Sequence, residues 1–205
     1  MTEKIDLKKL DHFQAPRGRF HELEVPELNY LKIDGHGDPN TSPEFLSAVE
    51  TLFPVAYTLK FASKRELGKD YVVPPLEGLW WAEDMSAFTT ARDKSAWDWT
   101  LMLLVPEWLG AEHVEAAIAA VAAKKSAPRL EDLRFEPLTE GRSVQTLHVG
   151  PFDEEGPVLA RLHEEYLPAH GLRPIGLHHE IYLSDLRRSA PDKLRTILRQ
   201  PVTEA

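Results

Sequence analysis

The chain has 205 residues, of which 42% are hydrophobic and 28% are charged, proportions that are ordinary for a globular protein. It contains no cysteine, which excludes a disulfide framework, a zinc ribbon and a cysteine nucleophile. The formal net charge of −9 argues against a nucleic-acid-binding protein, because phosphate contacts need a basic face. The same charge favours neutral or cationic ligands.

No segment approaches the roughly 20 consecutive apolar residues of a membrane-spanning helix, and the N-terminus lacks the apolar core of a secretory signal. We therefore expect a cytoplasmic protein with no membrane partner. The 16 prolines are scattered rather than clustered in a linker, so a single domain over residues 1–205 is expected.

The first half of the chain alternates between strand and helix patterns. Leu28–Ile33 alternates apolar and polar residues as a strand does. A helix begins near Thr41 or Ser42, carries Pro43 in its first turn, and is predicted to kink at Pro54. Two further strands and a second helix are predicted over residues 76–82, 97–105 and 111–125.

The second half has the same order of elements. A strand over Ser143–Val149 precedes a helix that Asp153 caps and Gly171 ends. Strands are predicted over 174–183 and within 194–202, the last at a sheet edge because of Pro201. Two half-repeats, near 28–105 and 143–202, predict an α+β fold of two pseudo-symmetric βαββ units. Together they would form a curved antiparallel sheet with helices on one side and an open ligand cleft on the other.

The strand that begins at His178 carries the most suggestive polar residues. His178, Glu180 and Tyr182 point to one side, whereas Ile181 and Leu183 point to the other. Two interpretations of Glu180 remain open. It belongs either to a solvated outer face or to a pocket floor, where a partly desolvated carboxylate attracts a cation or acts as a general base.

Aromatic residues are the second signal. Four tryptophans lie on the second and third predicted strands of the first half, and they form either a hydrophobic core or a wall that stacks on a flat ligand or holds a cation. Glu77 is either a second carboxylate near this wall or a surface residue at a strand end. Tyr57 either reaches a cleft with its hydroxyl or packs on the sheet. The four tryptophans are Trp80, Trp81, Trp97 and Trp99.

Other chemistries lack a matching pattern. His178, His179 and Glu180 are adjacent, but only two of them share a strand face, so no metal site is predicted. Phosphate-loop, dinucleotide and GxSxG motifs are absent from the sequence, so no cofactor is predicted. Any hydrolysis would therefore use a carboxylate acting on water.

Five motifs together resemble one family, the stand-alone GyrI-like small-molecule-binding proteins. The resemblance runs from about Lys4 to Val202 and implies two βαββ units around a ligand cleft. Relatives include effector domains of multidrug-responsive activators, a DNA gyrase inhibitor, and hydrolases that open the activated cyclopropane of DNA-alkylating natural products. The motifs are NYLKIDGHGDPN (29–40), AYTLKF (56–61), PPLEGLWW (74–81), LHVGPF (147–152) and HHEIYLSD (178–185).

The resemblance also suggests roles for individual residues. The acidic residue of the family's penultimate strand falls on Glu180, which we expect to act as the base, with Tyr57 or His178 as the proton donor. The aromatic pocket is expected to use Trp80, Trp81, Trp97, Trp99 and Tyr182, with Glu77 nearby.

The predicted function is a protective hydrolase that acts on cyclopropane-bearing compounds. The alternatives are a non-catalytic protein that sequesters aromatic or cationic molecules and a gyrase-inhibitor-like interaction module. The expected partner is a small molecule, and the oligomeric state is not predicted.

Overall fold

The protein is described by a computed structural model that covers residues 4–83, 93–124, 127–185 and 188–205. It contains nine strands and three principal helices within these ranges. The third helix, α3 (residues 156–169), is interrupted by a π-helical turn over Arg161–Tyr166. In chain order the other elements are β1 His21–Val25, β2 Leu28–His36, α1 Pro43–Glu66, β3 Glu77–Trp81, β4 Asp98–Val105, α2 Ala111–Ala123, β5 Arg134–Leu138, β6 Gly141–Val149, β7 Leu172–Pro174, β8 His178–Tyr182 and β9 Arg195–Glu204.

The chain forms two compact units, and the first gathers residues from 1–9, 28–74 and 82–138. Its strands are antiparallel, with β2 between β4 and β5, and α1 packs against β2, β4 and α2. β4 is buried over almost its whole length, which agrees with its almost continuously apolar sequence, whereas β2 alternates apolar and polar residues and is buried in its middle. The fully buried side chains of this unit include Leu31, Ile33, Leu52, Leu59, Leu101 and Leu103.

The second unit gathers residues 10–27, 75–81 and 139–205. Its antiparallel strands lie in the order β1, β6, β9, β8, β3, and β7 also pairs with β9. The strands β6 and β9 and the α3 helix contribute a separate hydrophobic cluster, on which Phe20 and Tyr166 pack. The members of this cluster are Val144, Leu162, Leu167, Leu172 and Val202.

The α+β prediction is confirmed. The first half has the order β2-α1-β3-β4, and the second has the order β6-α3-β7-β8-β9, in which the short strand β7 comes between α3 and β8. The helix α1 continues through Pro54 to Glu66. The helix predicted over 111–125 ends at Ala123, and Lys125 lies outside the described residues.

The prediction that the last strand lies at an edge is wrong. β9 lies between β6 and β8, so it is an interior strand. Pro201 is tolerated because β8 pairs only as far as Arg199 and β7 pairs from Val202 onward. The missing N–H of Pro201 therefore falls between these two paired stretches, where neither strand needs a donor.

Candidate functional site

The register of β3 and β8 places five residues on one face of the second unit. Side chains alternate along a strand, so His178, Glu180 and Tyr182 share a side, and Gly78 and Trp80 lie opposite Glu180 and His178. We call this set of five residues the acid face. Its tryptophan and its carboxylate come from two strands that are about 100 residues apart in the chain.

Glu180 is a mostly buried carboxylate, with 15% of its side chain exposed. Its Oε2 accepts a hydrogen bond of 2.8 Å from the Tyr182 hydroxyl, and its Oε1 lies 3.4 Å from Nε2 of His178. Within the described ranges, no lysine or arginine nitrogen comes within 4 Å of this carboxylate. Among the described residues, the neighbours of this acidic group are thus a hydroxyl and an imidazole, an arrangement that a ligand or a reaction can use.

His178 has the same degree of burial as Glu180, and both of its ring nitrogens are shielded from solvent. The π-helical turn of α3 brings a second imidazole, His163, within electrostatic reach of it. His163 is an exposed residue, and partial loss of hydration together with the nearby His178 ring lowers its pKa. Sequence reasoning missed His163 because a π turn has no recognisable sequence pattern, although such turns are frequent at functional sites.

Tyr182 lies at the centre of the acid face and is itself buried. Its hydroxyl accepts a 3.0 Å hydrogen bond from the indole N–H of Trp80, and its ring packs edge-on against Phe152 at 5.6 Å. Burial raises the pKa of the Tyr182 phenol well above its usual value of 10, and the carboxylates of Glu180 and Glu155 raise it further. Phe152 and Glu155 follow the Gly-Pro turn after β6 and were not predicted from the sequence.

The opposite face of the same two strands carries a buried charge cluster. His179 lies between two carboxylates, with Nδ1 2.9 Å from Oε1 of Glu140 and Nε2 3.0 Å from Oε2 of Glu77. Arg199 donates to Glu140 over 2.7 Å, to Gln145 over 2.9 Å, and to the carbonyl oxygen of His12. We call Glu77, Glu140, His179 and Arg199 the buried cluster.

The charges within the buried cluster stabilise one another. Burial alone would lower the pKa of His179, but the Glu140 carboxylate and the Glu77 carboxylate outweigh it and raise that pKa to about 9. Burial alone would raise the pKa of Glu140, but His179 and Arg199 hold it at about 2. At neutral pH the cluster thus contains an imidazolium and a guanidinium facing two carboxylates.

The structure changes the interpretation of Glu77. The sequence left open a place beside the aromatic wall or at the surface, but this carboxylate is fully buried and pairs with His179 on the face opposite Glu180. The reason is the alternation of β3, which places Trp80 on the acid face and its neighbour Trp81, half-buried, on the other side.

The remaining predicted residues lie in the first unit. Tyr57 is 47% exposed on α1, where its ring centroid lies 6.4 Å from those of Phe53 and Phe61, tilted against the first ring and stacked with the second. Trp97 precedes β4 and is partly exposed. Trp99 has no exposed surface, which favours the core role that the sequence left as an alternative.

Trp99 packs so closely on β2 that it requires glycine at position 35. Gly35 is its cross-strand partner, and a Cβ there would lie 2.0 Å from the indole ring. We expect Gly35→Ala to lower the free energy of unfolding by about 1–3 kcal/mol, measured by urea denaturation, because the ring has no space to move. The double variant Gly35→Ala/Trp99→Phe, with a smaller ring, should be less affected by the added methyl group. An unchanged stability of the single variant would contradict this packing.

No group of three or more potential metal ligands comes together in the part of the chain that the structure describes. None of the helices in these residues is both long and apolar enough to cross a bilayer.

Known proteins share this fold. The profile of the GyrI-like small molecule binding domain matches residues 99–202. An uncharacterized conserved protein from Listeria innocua is 40% identical, with a TM-score of 0.87 over 98% of this chain and 100% of that chain. A hydrolase from Listeria innocua is 38% identical, with a TM-score of 0.83 over the same shares of the two chains.

More distant structures resemble the chain in fold alone. The C-terminal domain of EcmrR is 11% identical and has a TM-score of 0.57, over 91% of this chain and 98% of that one. No functionally curated protein matches the sequence. The match to the family profile over half of the residues and the 40% identity over almost the entire length agree with each other, and the chain belongs to the GyrI-like small molecule binding domain family.

Proposed function

We propose that the protein binds flat aromatic or cationic small molecules at the acid face and hydrolyses the activated cyclopropanes of DNA-alkylating compounds. The observation that carries the proposal is the Glu180 carboxylate, whose side chain is 15% exposed and whose polar neighbours among the described residues are a tyrosine hydroxyl and an imidazole. A carboxylate in this state is suited to removing a proton from water. The 38% identity to a hydrolase from Listeria innocua supports an enzymatic function.

Residues of the acid face can carry out both proton transfers of this hydrolysis. Water attacks a cyclopropane carbon that is conjugated with a dienone, and the breaking C–C bond sends its electron pair to the carbonyl oxygen, which becomes a phenolate. Glu180 takes one proton from the water, and the phenolate then recovers a proton. His178, 3.4 Å from Oε1 of Glu180, is positioned to pass that proton on. The net change is the addition of one water molecule to the substrate.

Trp80 and Tyr182 are almost fully buried beside Glu180, so a bound ring system would cover the acid face from its solvent side. A ring system that covers this surface would exclude bulk water from the carboxylate, which strengthens the interactions of the charged oxygen atoms.

The test is hydrolysis of a cyclopropane-bearing alkylator by the wild-type protein and by Glu180→Gln. The amide keeps the size of the carboxylate but accepts no proton, so we expect the rate to fall by about 100-fold or more. Mass spectrometry detects the product as the compound plus one water. Glu164→Gln, an exposed residue of α3, is the matched control and should retain the wild-type rate.

Two results would overturn the enzymatic proposal. Equal rates for wild type and Glu180→Gln would remove Glu180 from the mechanism. Binding of the compound without any gain in mass would assign the acid face to non-catalytic sequestration, in which Glu180 only neutralises a ligand charge.

A further inference from the structure

The hydroxyl of Tyr182 links Trp80 to Glu180, and the direction of these hydrogen bonds is fixed. An indole N–H only donates, so Tyr182 accepts from Trp80 with a lone pair of its oxygen. A phenol has one proton, which is then free to point at Oε2 of Glu180, 2.8 Å away. The chain of donors therefore runs from Trp80 through Tyr182 to the carboxylate.

Burial keeps these two hydrogen bonds in a single arrangement. Tyr182 is 8% exposed and Trp80 is 5% exposed, so water does not compete freely for their polar atoms. The raised pKa of the Tyr182 phenol, caused by burial and by the Glu180 charge, keeps its proton in place throughout the neutral range. The hydroxyl thus donates to Glu180 whenever that residue is ionised.

The residue opposite Glu180 on β3 provides the space for this arrangement. Gly78 is the cross-strand partner of Glu180, and a Cβ there would lie 2.8 Å from Nε1 of Trp80 and 3.1 Å from the Tyr182 hydroxyl. A larger residue at position 78 would clash with the indole nitrogen of Trp80 and with the Tyr182 hydroxyl. The sequence Gly-Leu-Trp therefore fits a strand whose glycine makes room for a hydrogen bond between neighbouring side chains.

We propose that Trp80 and Tyr182 are positioning residues that bind Oε2 of Glu180 and leave Oε1, beside His178, as the oxygen that receives the water proton. The inference rests on the proposed function of Glu180 and deepens it. It differs from the sequence-based expectation, in which both aromatic residues were ligand walls. A wall residue acts on ligand affinity, whereas a positioning residue acts on the reaction step.

The first measurement needs no substrate. In the ¹⁵N–¹H spectrum, the indole signal that disappears in Trp80→Phe identifies Trp80, and Tyr182→Phe should shift this signal upfield because the indole loses its acceptor. Tyr166→Phe, a tyrosine of α3 outside the acid face, is the matched control and should leave the signal unchanged. An indole signal of Trp80 that does not shift in Tyr182→Phe would contradict the hydrogen bond between these two residues.

The second measurement separates positioning from ligand contact. With the cyclopropane-bearing alkylator, Tyr182→Phe should lower kcat by about 10- to 100-fold, the value of a hydrogen bond to a charged group, and change KM less than about twofold. Trp80→Phe should lower kcat in the same direction by a smaller factor. Trp108→Phe, a tryptophan of the first unit that donates to Ser63, is the control for the same substitution.

The outcomes distinguish this inference from the proposed function. If Glu180→Gln is inactive while Tyr182→Phe raises KM and keeps kcat, Tyr182 is a wall and the positioning role is wrong. If the wild-type protein does not hydrolyse the probe, the proposed function fails, and the Trp80 indole signal still decides whether the chain of hydrogen bonds exists. Should Tyr182→Phe not fold, Trp80→Phe provides the same kcat-against-KM test.

Discussion

Replacing Arg199 by methionine should lower the free energy of unfolding by about 3–5 kcal/mol, because the change leaves a buried carboxylate without one of its cations. Arg199 is fully buried, and its guanidinium is bonded to Glu140, to Gln145 and to the carbonyl oxygen of His12. Methionine fills similar space but satisfies none of these acceptors. The buried cluster would then contain two carboxylates facing only the imidazolium of His179. Urea denaturation with linear extrapolation measures the loss.

A matched control lies on the neighbouring strand. Arg142 pairs with Glu22 over 2.9 Å, but its side chain is 43% exposed. Arg142→Met should therefore cost less than about 1 kcal/mol, as exposed ion pairs do. A loss for Arg199→Met no larger than that for Arg142→Met would contradict the energetic role of the buried cluster.

A double-mutant cycle tests whether Arg199 acts through Glu140. Neutralising the carboxylate in Glu140→Gln/Arg199→Met removes the unpaired charge, so the double variant should be more stable than the sum of the two single losses implies. Additive losses would mean that the two residues stabilise the protein independently, despite the 2.7 Å contact between them.

The part of the acid face that lies on β8 could be predicted from sequence, because the alternation of side chains along one strand depends on that strand alone. A strand has a period of two, so the spacing of His178, Glu180 and Tyr182 alone places them on one side of β8. The link between Tyr182 and Trp80 was beyond local reasoning, since it depends on the register of two strands whose contacting residues are 102 positions apart.

The buried cluster was not predictable for a related reason. A glutamate at a strand end is usually exposed, and Glu77 is buried only because His179, Glu140 and Arg199 arrive from three other segments to balance its charge. The edge position predicted from Pro201 was wrong for the same reason. Whether a strand is interior depends on the strands that pair with it and not on its own residues.

The pH dependence of stability should show the charge of His179 directly. Its pKa is raised to about 9 in the folded protein by Glu140 and Glu77, against an ordinary value of 6.5. Between these two values the folded protein binds more protons than the unfolded chain, so stability falls as the pH rises. The contribution is complete below pH 6.5, disappears as the pH passes 9, and amounts to roughly 3 kcal/mol.

Below pH 6.5, stability should instead rise as the pH increases. Burial and Arg199 lower the pKa of His12 to about 4, and the cations beside Glu140 hold its pKa at about 2 despite burial. In each case the unfolded chain binds more protons below the ordinary pKa, so stability rises with pH up to about 6.5. Maximal stability is therefore expected near pH 6.5.

Urea denaturation at intervals between pH 5 and pH 9 measures this profile, and His179→Gln identifies its source. Glutamine keeps hydrogen-bonding capacity but has no titratable proton, so the variant should be less stable at pH 6 and should lose most of the decline between pH 6.5 and pH 9. The same decline in the variant would show that another group titrates, and that the imidazole between Glu77 and Glu140 is neutral in the folded protein. The charge of His179 decides whether the cluster behind Glu180 is balanced, because a neutral imidazole would leave two buried carboxylates facing Arg199 alone.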